Sequence, residues 1–341
     1  MTVLVTGGAG YIGSHMTLDL LAAGENVVVV DDLRSGFRDA VPGHAMFVQG
    51  DIGDAALISQ VLAQHKCDAI IHFAGSTVVP ESVSQPLDYY QNNSAKTLAL
   101  LQAAVQAGVP NFVFSSTAAV YGTVDSKPVN ETVPLCPVSP YGASKMMSER
   151  MLQDAAAAFP LQYAILRYFN VAGADPQGRA GQSTPHATHL IKVACQTALG
   201  LRSCMDIFGD KHSTKDGTGV RDYIHVSDLT AAHLLALNHL RAGRGSFIAN
   251  CGYGHGFSVR EVIDCVQDVA GINIDVSVTA PRPGEIASVV ANSDRLKMLT
   301  QWAPKHQNLT QIVTSAYLWE QHLIEKRHNQ HDEICKAAPD A

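Results

Sequence analysis

The chain has no C-x-x-C pair, and its seven cysteines (Cys67, Cys136, Cys195, Cys204, Cys251, Cys265 and Cys335) are odd in number and scattered. That spacing argues against a disulfide framework and a zinc site, so no metal is expected and a reducing compartment, the cytoplasm, fits best. An unbroken run of about 18 apolar residues is also lacking, and the start, MTVLVTGG, has no basic stretch leading into a long apolar one. Neither a membrane span nor a secretion leader is expected. Charge is scarce too: 16% of residues are charged, the net charge is -7, and no long basic run occurs. A nucleic-acid partner is therefore not expected, and an anionic ligand must be met by individually placed arginines.

What is present is length and apolar residues. Hydrophobic residues make up 46% of 341 positions, which suits a globular enzyme, and the length exceeds one ordinary core of about 100–200 residues. TVLVT (2–6) and NVVVV (26–30) flank a helical stretch from His15 to Ala23, the pattern of a βαβ unit in a buried parallel sheet. AIIHFAG (69–75), NFVFSST (111–117) and YAILRYFN (163–170) read as further strands, with helical segments at about 54–64, 87–107 and 141–157 between them. The fold class expected is α/β, a Rossmann-like doubly wound parallel sheet with a smaller C-terminal α/β substrate-binding lobe.

The border is placed at residue 170, where VAGADPQGRAGQSTPHA ends the alternation. The second lobe, 171–330, is expected to hold helices at about 188–200, 227–240, 258–270 and 308–324, with strands in FIAN and IDVSVT. DYIHV, in a segment of about 220–250, is expected to return to the first sheet, and 331–341 to form a flexible tail.

TGGAGYIG sets Gly7, Gly10 and Gly13 between the first strand and its helix. Without side chains there, backbone N–H groups and the helix N-terminus can meet a pyrophosphate. Asp31 ends the second strand 18 residues after Gly13, where a carboxylate accepts hydrogen bonds from ribose hydroxyls and repels a 2′-phosphate; NAD is preferred over NADP. GDI (50–52) places Asp51 and Ile52 toward an adenine, and FAG (73–75) offers Phe73, Ala74 and Gly75 where a dinucleotide backbone passes.

SPYGASK (139–145) sets Tyr141 and Lys145 four residues apart on one helix face. A phenol with pKa about 10 is a poor base unless cations stabilise its phenolate, and the ammonium and the positive nicotinamide ring would both do so. Ser115, Ser116 and Thr117 close the fifth strand at the carboxyl edge, where ligands bind in such sheets, and Thr117 can share a substrate oxygen with Tyr141.

These motifs, with ESV-x-x-P-L-x-Y-Y-x-N-N, LRYFNVAGA, IFG, DGTGVRDYIHV-x-DL and APRPGE, cover about residues 2–300. The chain resembles the extended short-chain dehydrogenase/reductase family, and within it the nucleotide-sugar 4-epimerases. The resemblance implies Tyr141 as base, Lys145 as its electrostatic partner and nicotinamide-ribose ligand, and Thr117 as the hydroxyl partner. It implies NAD contacts from Tyr11, Ile12, Asp31, Asp51, Ile52, Phe73, Ala74, Gly75, Asn92 and Tyr168. On the substrate side, a UDP-sugar, it implies Asn170, His189, Leu190, Phe208, Arg221, Arg282 and Glu285. The expected reaction inverts C4 of a UDP-hexose through a 4-keto sugar, and the expected assembly is a homodimer.

Two departures from the family pattern carry expectations. Thr77 stands where many relatives have lysine, removing one cationic cofactor contact. Val289 stands where some have a bulky tyrosine, leaving room for a UDP-N-acetylhexosamine. A nucleotide-sugar 4,6-dehydratase is the alternative enzyme, but it needs an Asp-Glu pair after the threonine, where this chain has Ala118 and Ala119. A non-catalytic NAD sensor would dispense with Tyr141 or Lys145, and both are present.

Overall fold

The computed structural model describes residues 1–124, 128–184, 188–281 and 286–337, with side chains described as far as residue 328. The chain runs through β1 (Thr2–Thr6), α1 (Tyr11–Ala22), β2 (Asn26–Asp31), β3 (Met46–Gln49), α2 (Ala55–His65) and β4 (Ala69–His72). Next come α3 (Val79–Ser84), α4 (Pro86–Tyr89), a π-helical segment (Tyr90–Ala95), α5 (Lys96–Gln106), β5 (Asn111–Thr117), α6 (Pro140–Ala158) and β6 (Gln162–Tyr168). The remainder comprises β7 (Asn170–Ala172), α7 (Leu190–Ala198), β8 (Met205–Phe208), β9 (Val220–Arg221), β10 (Tyr223–His225), α8 (Val226–Arg241) and β11 (Phe247–Cys251). It closes with β12 (Phe257–Ser258), α9 (Val259–Ala270), β13 (Val276–Thr279), β14 (Ser288–Val289), α10 (Asp294–Thr300) and α11 (Leu309–Ala337).

Seven strands form one parallel sheet in the order β11-β6-β5-β4-β1-β2-β3. Strands buried on both faces are apolar in the middle, which is why β1, β2 and β4 carry the runs VLV, VVVV and AII between polar ends or flanks. One face packs Val3, Val5, Met16, Leu20 and Leu237 into a core that continues under the second lobe through Ile191, Val262 and Ile312. The other packs Leu4, Val28, Ile58, Leu100, Phe112 and Leu152 beneath α2, α5 and α6. The chain leaves β1 toward β2 and β3, then returns to lay β4 on the other side of β1. That reversal opens a crevice at the carboxyl ends of β1 and β4, the place where open α/β sheets take ligands.

Three expectations are corrected by the fold. FIAN, expected in the smaller lobe, belongs to β11, the outer strand of the main sheet, paired in register with β6. DYIHV does not rejoin that sheet: Tyr223–His225 pairs with Asn170–Ala172 in a separate two-stranded ribbon. The return is made by α8 and then β11; Leu229, Ala236 and Leu240 bury α8 in the sheet's core. The tail is helical over residues 331–337, because α11 runs to Ala337 rather than ending near 324. No described helix is long and apolar enough to cross a membrane.

Local sequence explains the helix that matters most. Ser139 caps α6 by accepting the Gly142 N–H at 3.2 Å, and Pro140 starts the first turn, where its missing N–H costs nothing. The single helix expected at 87–107 is instead α4 and α5 joined through the π-helical turn. Such turns cluster at functional sites, and here the turn carries the amides of Asn92 and Asn93 toward the crevice loop.

Candidate active site

The crevice begins with the glycines, and each has a distinct task. Gly7 adopts φ +72°, and a Cβ on it would lie 2.6 Å from the Ala74 backbone N, so the chain leaving β1 can lie against the chain leaving β4 only because residue 7 has no side chain. A Cβ on Gly13 would fall 2.1 Å from the Gly7 carbonyl, so this glycine lets α1 press against the loop. Gly10 has more room, its nearest contact being 3.2 Å. It is the N-cap of α1, with no side chain capping the turn formed by Tyr11, Ile12 and Gly13. An uncapped N-terminus reached by bare backbone is where a pyrophosphate binds.

Asp31 stands at the end of β2 with its carboxylate fixed by two backbone donors, Ala9 N at 3.0 Å and Leu33 N at 2.8 Å. Burial pushes its carboxyl above the usual range, and these donors oppose that push. At the end of β3, Asp51 pairs with Lys96 at 2.6 Å and accepts from Gly53 N; burial works to raise its carboxyl, but these contacts outweigh it and hold it low. Ile52 is buried against the core and Ala74 packs beside it. Phe73 lies 4.9 Å from the buried ring of His233. Asn92 donates to Ser76 Oγ at 2.9 Å. The groups present therefore fit a dinucleotide: a bare loop for phosphates, a fixed carboxylate for ribose, apolar walls for the rings.

On the far side of the crevice the end of β5 meets one face of α6. Tyr141 and Thr117 are 7% and 8% exposed. Burial raises the Tyr141 phenol, and the hydrogen bond from the Thr117 side chain pulls it back down. Lys145, 4% exposed, pairs with no carboxylate among the described residues. Its ammonium donates to the Ser115 carbonyl at 3.0 Å and lies 4.7 Å from the centre of the Phe114 ring. Burial pushes Lys145 down to about 8, with Glu149 opposing that fall. Ser115 Oγ donates to Tyr168 Oη at 2.9 Å, bringing the Tyr168 phenol to the same strand end. Burial raises that phenol as well.

Two further residues support this site: Asn93, the last residue of the ESV-x-x-P-L-x-Y-Y-x-N-N motif, and Glu149, which lies in no motif. Asn93, 2% exposed, accepts from Ser76 N at 2.7 Å and donates to Ser144 Oγ at 3.0 Å, tying the loop after β4 to α6. Glu149 is fully buried one turn beyond Lys145, held by Arg167 and by Ser116 Oγ. The spacing of Tyr141, Lys145 and Glu149 at i, i+4 and i+8 is the one signal that could have found the last of these.

The sugar-side residues come from separated segments. Asn170 on β7 sits opposite Tyr223, and with His189 and Leu190 at the start of α7 it lines a groove shared with Lys192, Trp319 and Glu320. Gln182 Nε2 donates to His189 Nδ1 at 2.8 Å. Arg221 lies on β9, donating to the Val220 carbonyl at 2.9 Å, and Phe208 ends β8; neither lines that groove. Arg282 and Glu285 lie outside the described residues. Thr77 is exposed just beyond the crevice, and Val289 on β14 pairs with Arg221.

Comparison with known proteins finds relatives and solved structures similar over most of the chain. A UDP-glucose 4-epimerase of Azospirillum brasilense is 56% identical over 321 residues, 94% of this chain and 92% of the relative. A solved UDP-glucose 4-epimerase from Stenotrophomonas maltophila, with bound NAD and formylated UDP-arabinopyranose, superposes with TM-score 0.92 at 39% identity, covering 96% of this chain and 99% of that one. A UDP-Glc/GlcNAc 4-epimerase from Campylobacter jejuni gives TM-score 0.83 at 43% identity, covering 94% and 99%. The profile described as the NAD dependent epimerase/dehydratase family matches residues 3–252, and the chain belongs to that family.

Proposed function

We propose that the protein is an NAD-dependent epimerase that inverts C4 of a UDP-hexose, interconverting UDP-galactose and UDP-glucose. The observation that carries this reading is the burial of Tyr141 and Thr117 at the carboxyl end of β5, with the Lys145 ammonium held on the Ser115 carbonyl of the same strand end. Tyr141 takes the proton of the 4-hydroxyl, keeps it in a site closed to water, and returns it when the carbonyl is reduced. Thr117 hydrogen-bonds the same oxygen and fixes its distance from the phenol. NAD, when bound, supplies the chemistry that the side chains cannot, accepting hydride from C4 and giving it back to the opposite face. Gly7, Gly10, Gly13, Tyr11 and Ile12 hold its phosphates, Asp31 its ribose, Asp51, Ile52, Phe73, Ala74, Gly75 and Asn92 its adenosine half and backbone, and Ser115, Lys145 and Tyr168 its nicotinamide end. Asn170, His189, Leu190, Phe208, Arg221, Arg282 and Glu285 hold the UDP while the 4-keto hexose turns between them. Ala118 and Ala119 leave no acid–base pair beside Thr117 for eliminating water, which disfavours a dehydratase.

The lobes divide near residue 170, with α8 and β11 returning to the NAD-binding lobe. Two copies pair in the cytoplasm through α5 and α6; Leu98, Met147 and Phe159 are 43%, 43% and 51% exposed there, around a groove lined by Leu101, Val105 and Ala155. Val289 leaves space for an N-acetyl group, so UDP-N-acetylhexosamines are accepted too. The test supplies the purified protein with UDP-galactose and, separately, UDP-N-acetylgalactosamine, with NAD, and follows the 4-epimers. Conversion is expected for both, and conversion of neither overturns the reading.

A further inference from the structure

Behind Tyr141 and Lys145, the same helix face buries a carboxylate that the reaction does not touch. Glu149 is 0% exposed. Arg167 Nε and Nη2 donate to its two oxygens at 3.0 and 2.6 Å, and Ser116 Oγ donates to Oε1 at 2.5 Å. Arg167 in turn lies 5.1 Å from the centre of the Tyr121 ring and donates to its hydroxyl at 3.1 Å, and that hydroxyl donates to Asn250 Oδ1 at 2.6 Å. Ser116, Arg167 and Asn250 are register partners across β5, β6 and β11, so one lateral row of the sheet anchors the carboxylate. Three consecutive residues ending β5 thus serve three successive turns of α6: Thr117 meets Tyr141, the Ser115 carbonyl holds Lys145, and Ser116 holds Glu149.

A buried ammonium with no ion-pair partner tends to lose its proton. The groups around Lys145 are Tyr141 and Glu149 one turn before and after it on its own helix, the Ser115 carbonyl and Phe114 ring of β5, and His72 of β4, with Tyr168 of β6 reached through Ser115 Oγ and Arg167 of β6 through Glu149. His72 is pinned neutral between Thr6 and Thr97, and the phenols are raised by burial. Glu149 is the one carboxylate among these described groups. We infer that Glu149, locked in place by Arg167 and Ser116, is a positioning residue whose charge keeps Lys145 an ammonium and so sets the upper pH limit of turnover. The inference rests on the C4-epimerase reading for its kinetic consequence, but not for the state of Lys145. Holding Glu149 away from Lys145 by a strong pair to Arg167 also stops the two from forming an ion pair, leaving the ammonium available to the nicotinamide ribose.

The test is Glu149→Gln, which keeps the shape and removes the charge. Lysine labelled with 13C at Cε reports the ammonium directly, its Lys145 signal assigned by loss in Lys145→Arg. The expected result is a Lys145 titration about one pH unit lower than in the unaltered protein. The alkaline limb of kcat should fall by a similar shift, whereas a merely structural role lowers kcat equally at every pH. Should Glu149→Gln fail to fold with Arg167 left unpaired, Glu149→Gln with Arg167→Gln removes the whole pair; Glu149 is its member one turn from Lys145, so the limb is still expected to fall, by less than in Glu149→Gln alone. An unmoved Lys145 signal and an unmoved limb overturn the inference; no epimerisation by the unaltered protein overturns the functional reading instead.

Discussion

Between Gly7 and Gly13 the protein makes its ligand surface from backbone, in a seven-residue stretch that runs from a loop into the first turn of α1, with distances set by absent side chains. Around Asn170 and His189 it makes the opposing surface from side chains carried on β7, α7 and α11, which meet only after the whole chain has folded. The first arrangement tolerates almost no added atom; the second tolerates exchange of one side chain for another.

The sharpest break in the contrast is at the chemistry between the two surfaces. Tyr141→Phe is expected to lower kcat by about 10³-fold while leaving NAD binding intact, read by steady-state rates beside bound-cofactor fluorescence. Next in size is a matched pair of glycine changes. Gly13→Ala puts a methyl against the Gly7 carbonyl and is expected to cost about 3 kcal/mol and most of the NAD affinity. Gly178→Ala, in the border loop, has φ +70° but nothing within 4 Å, and should cost about 1 kcal/mol with NAD affinity unchanged. Equal losses in a denaturant titration of the two would erase the distinction.

Acid should strike both regions alike. Burial pushes His15 beside the glycine loop down to about 4, His233 behind Phe73 to about 4, and His225 beneath the second lobe to about 3. Each folded value lies below the unfolded value of about 6.5, so the unfolded chain takes up protons first. Stability is then level above pH 6.5 and falls as pH drops, by about 2 kcal/mol per histidine between pH 7 and pH 5. Denaturant midpoints across that range measure it; rising stability on acidification would contradict the buried neutral state. The smallest effect on turnover is expected from Val289→Tyr, which should reduce UDP-N-acetylglucosamine turnover by about tenfold, near 1.4 kcal/mol, with UDP-glucose turnover little changed.

The contrast also explains what is legible before folding. The glycine loop, Asp31, Tyr141 and Lys145 can be read because neighbours in sequence do the work, at helical or strand spacing. The main sheet is legible for the same reason, through apolar runs. FIAN is misplaced by sequence because a five-residue strand carries no mark of which sheet it joins; its register with β6 and its shared core with α8 appear only in the fold. DYIHV misleads likewise, since its partner is β7, a three-residue strand separated from β6 by Phe169 alone. Glu149 and Arg167 lie 18 positions apart on different elements, and nothing local announces their bond.

The central claim is that Tyr141 and the bound dinucleotide oxidise C4 and reduce it again within one closed site. It is tested most directly with UDP-galactose carrying deuterium at C4, turned over in ordinary water. The account predicts UDP-glucose that keeps the deuterium at C4, because hydride leaves and returns without meeting solvent. Loss of the label to water, with epimerisation intact, would contradict it.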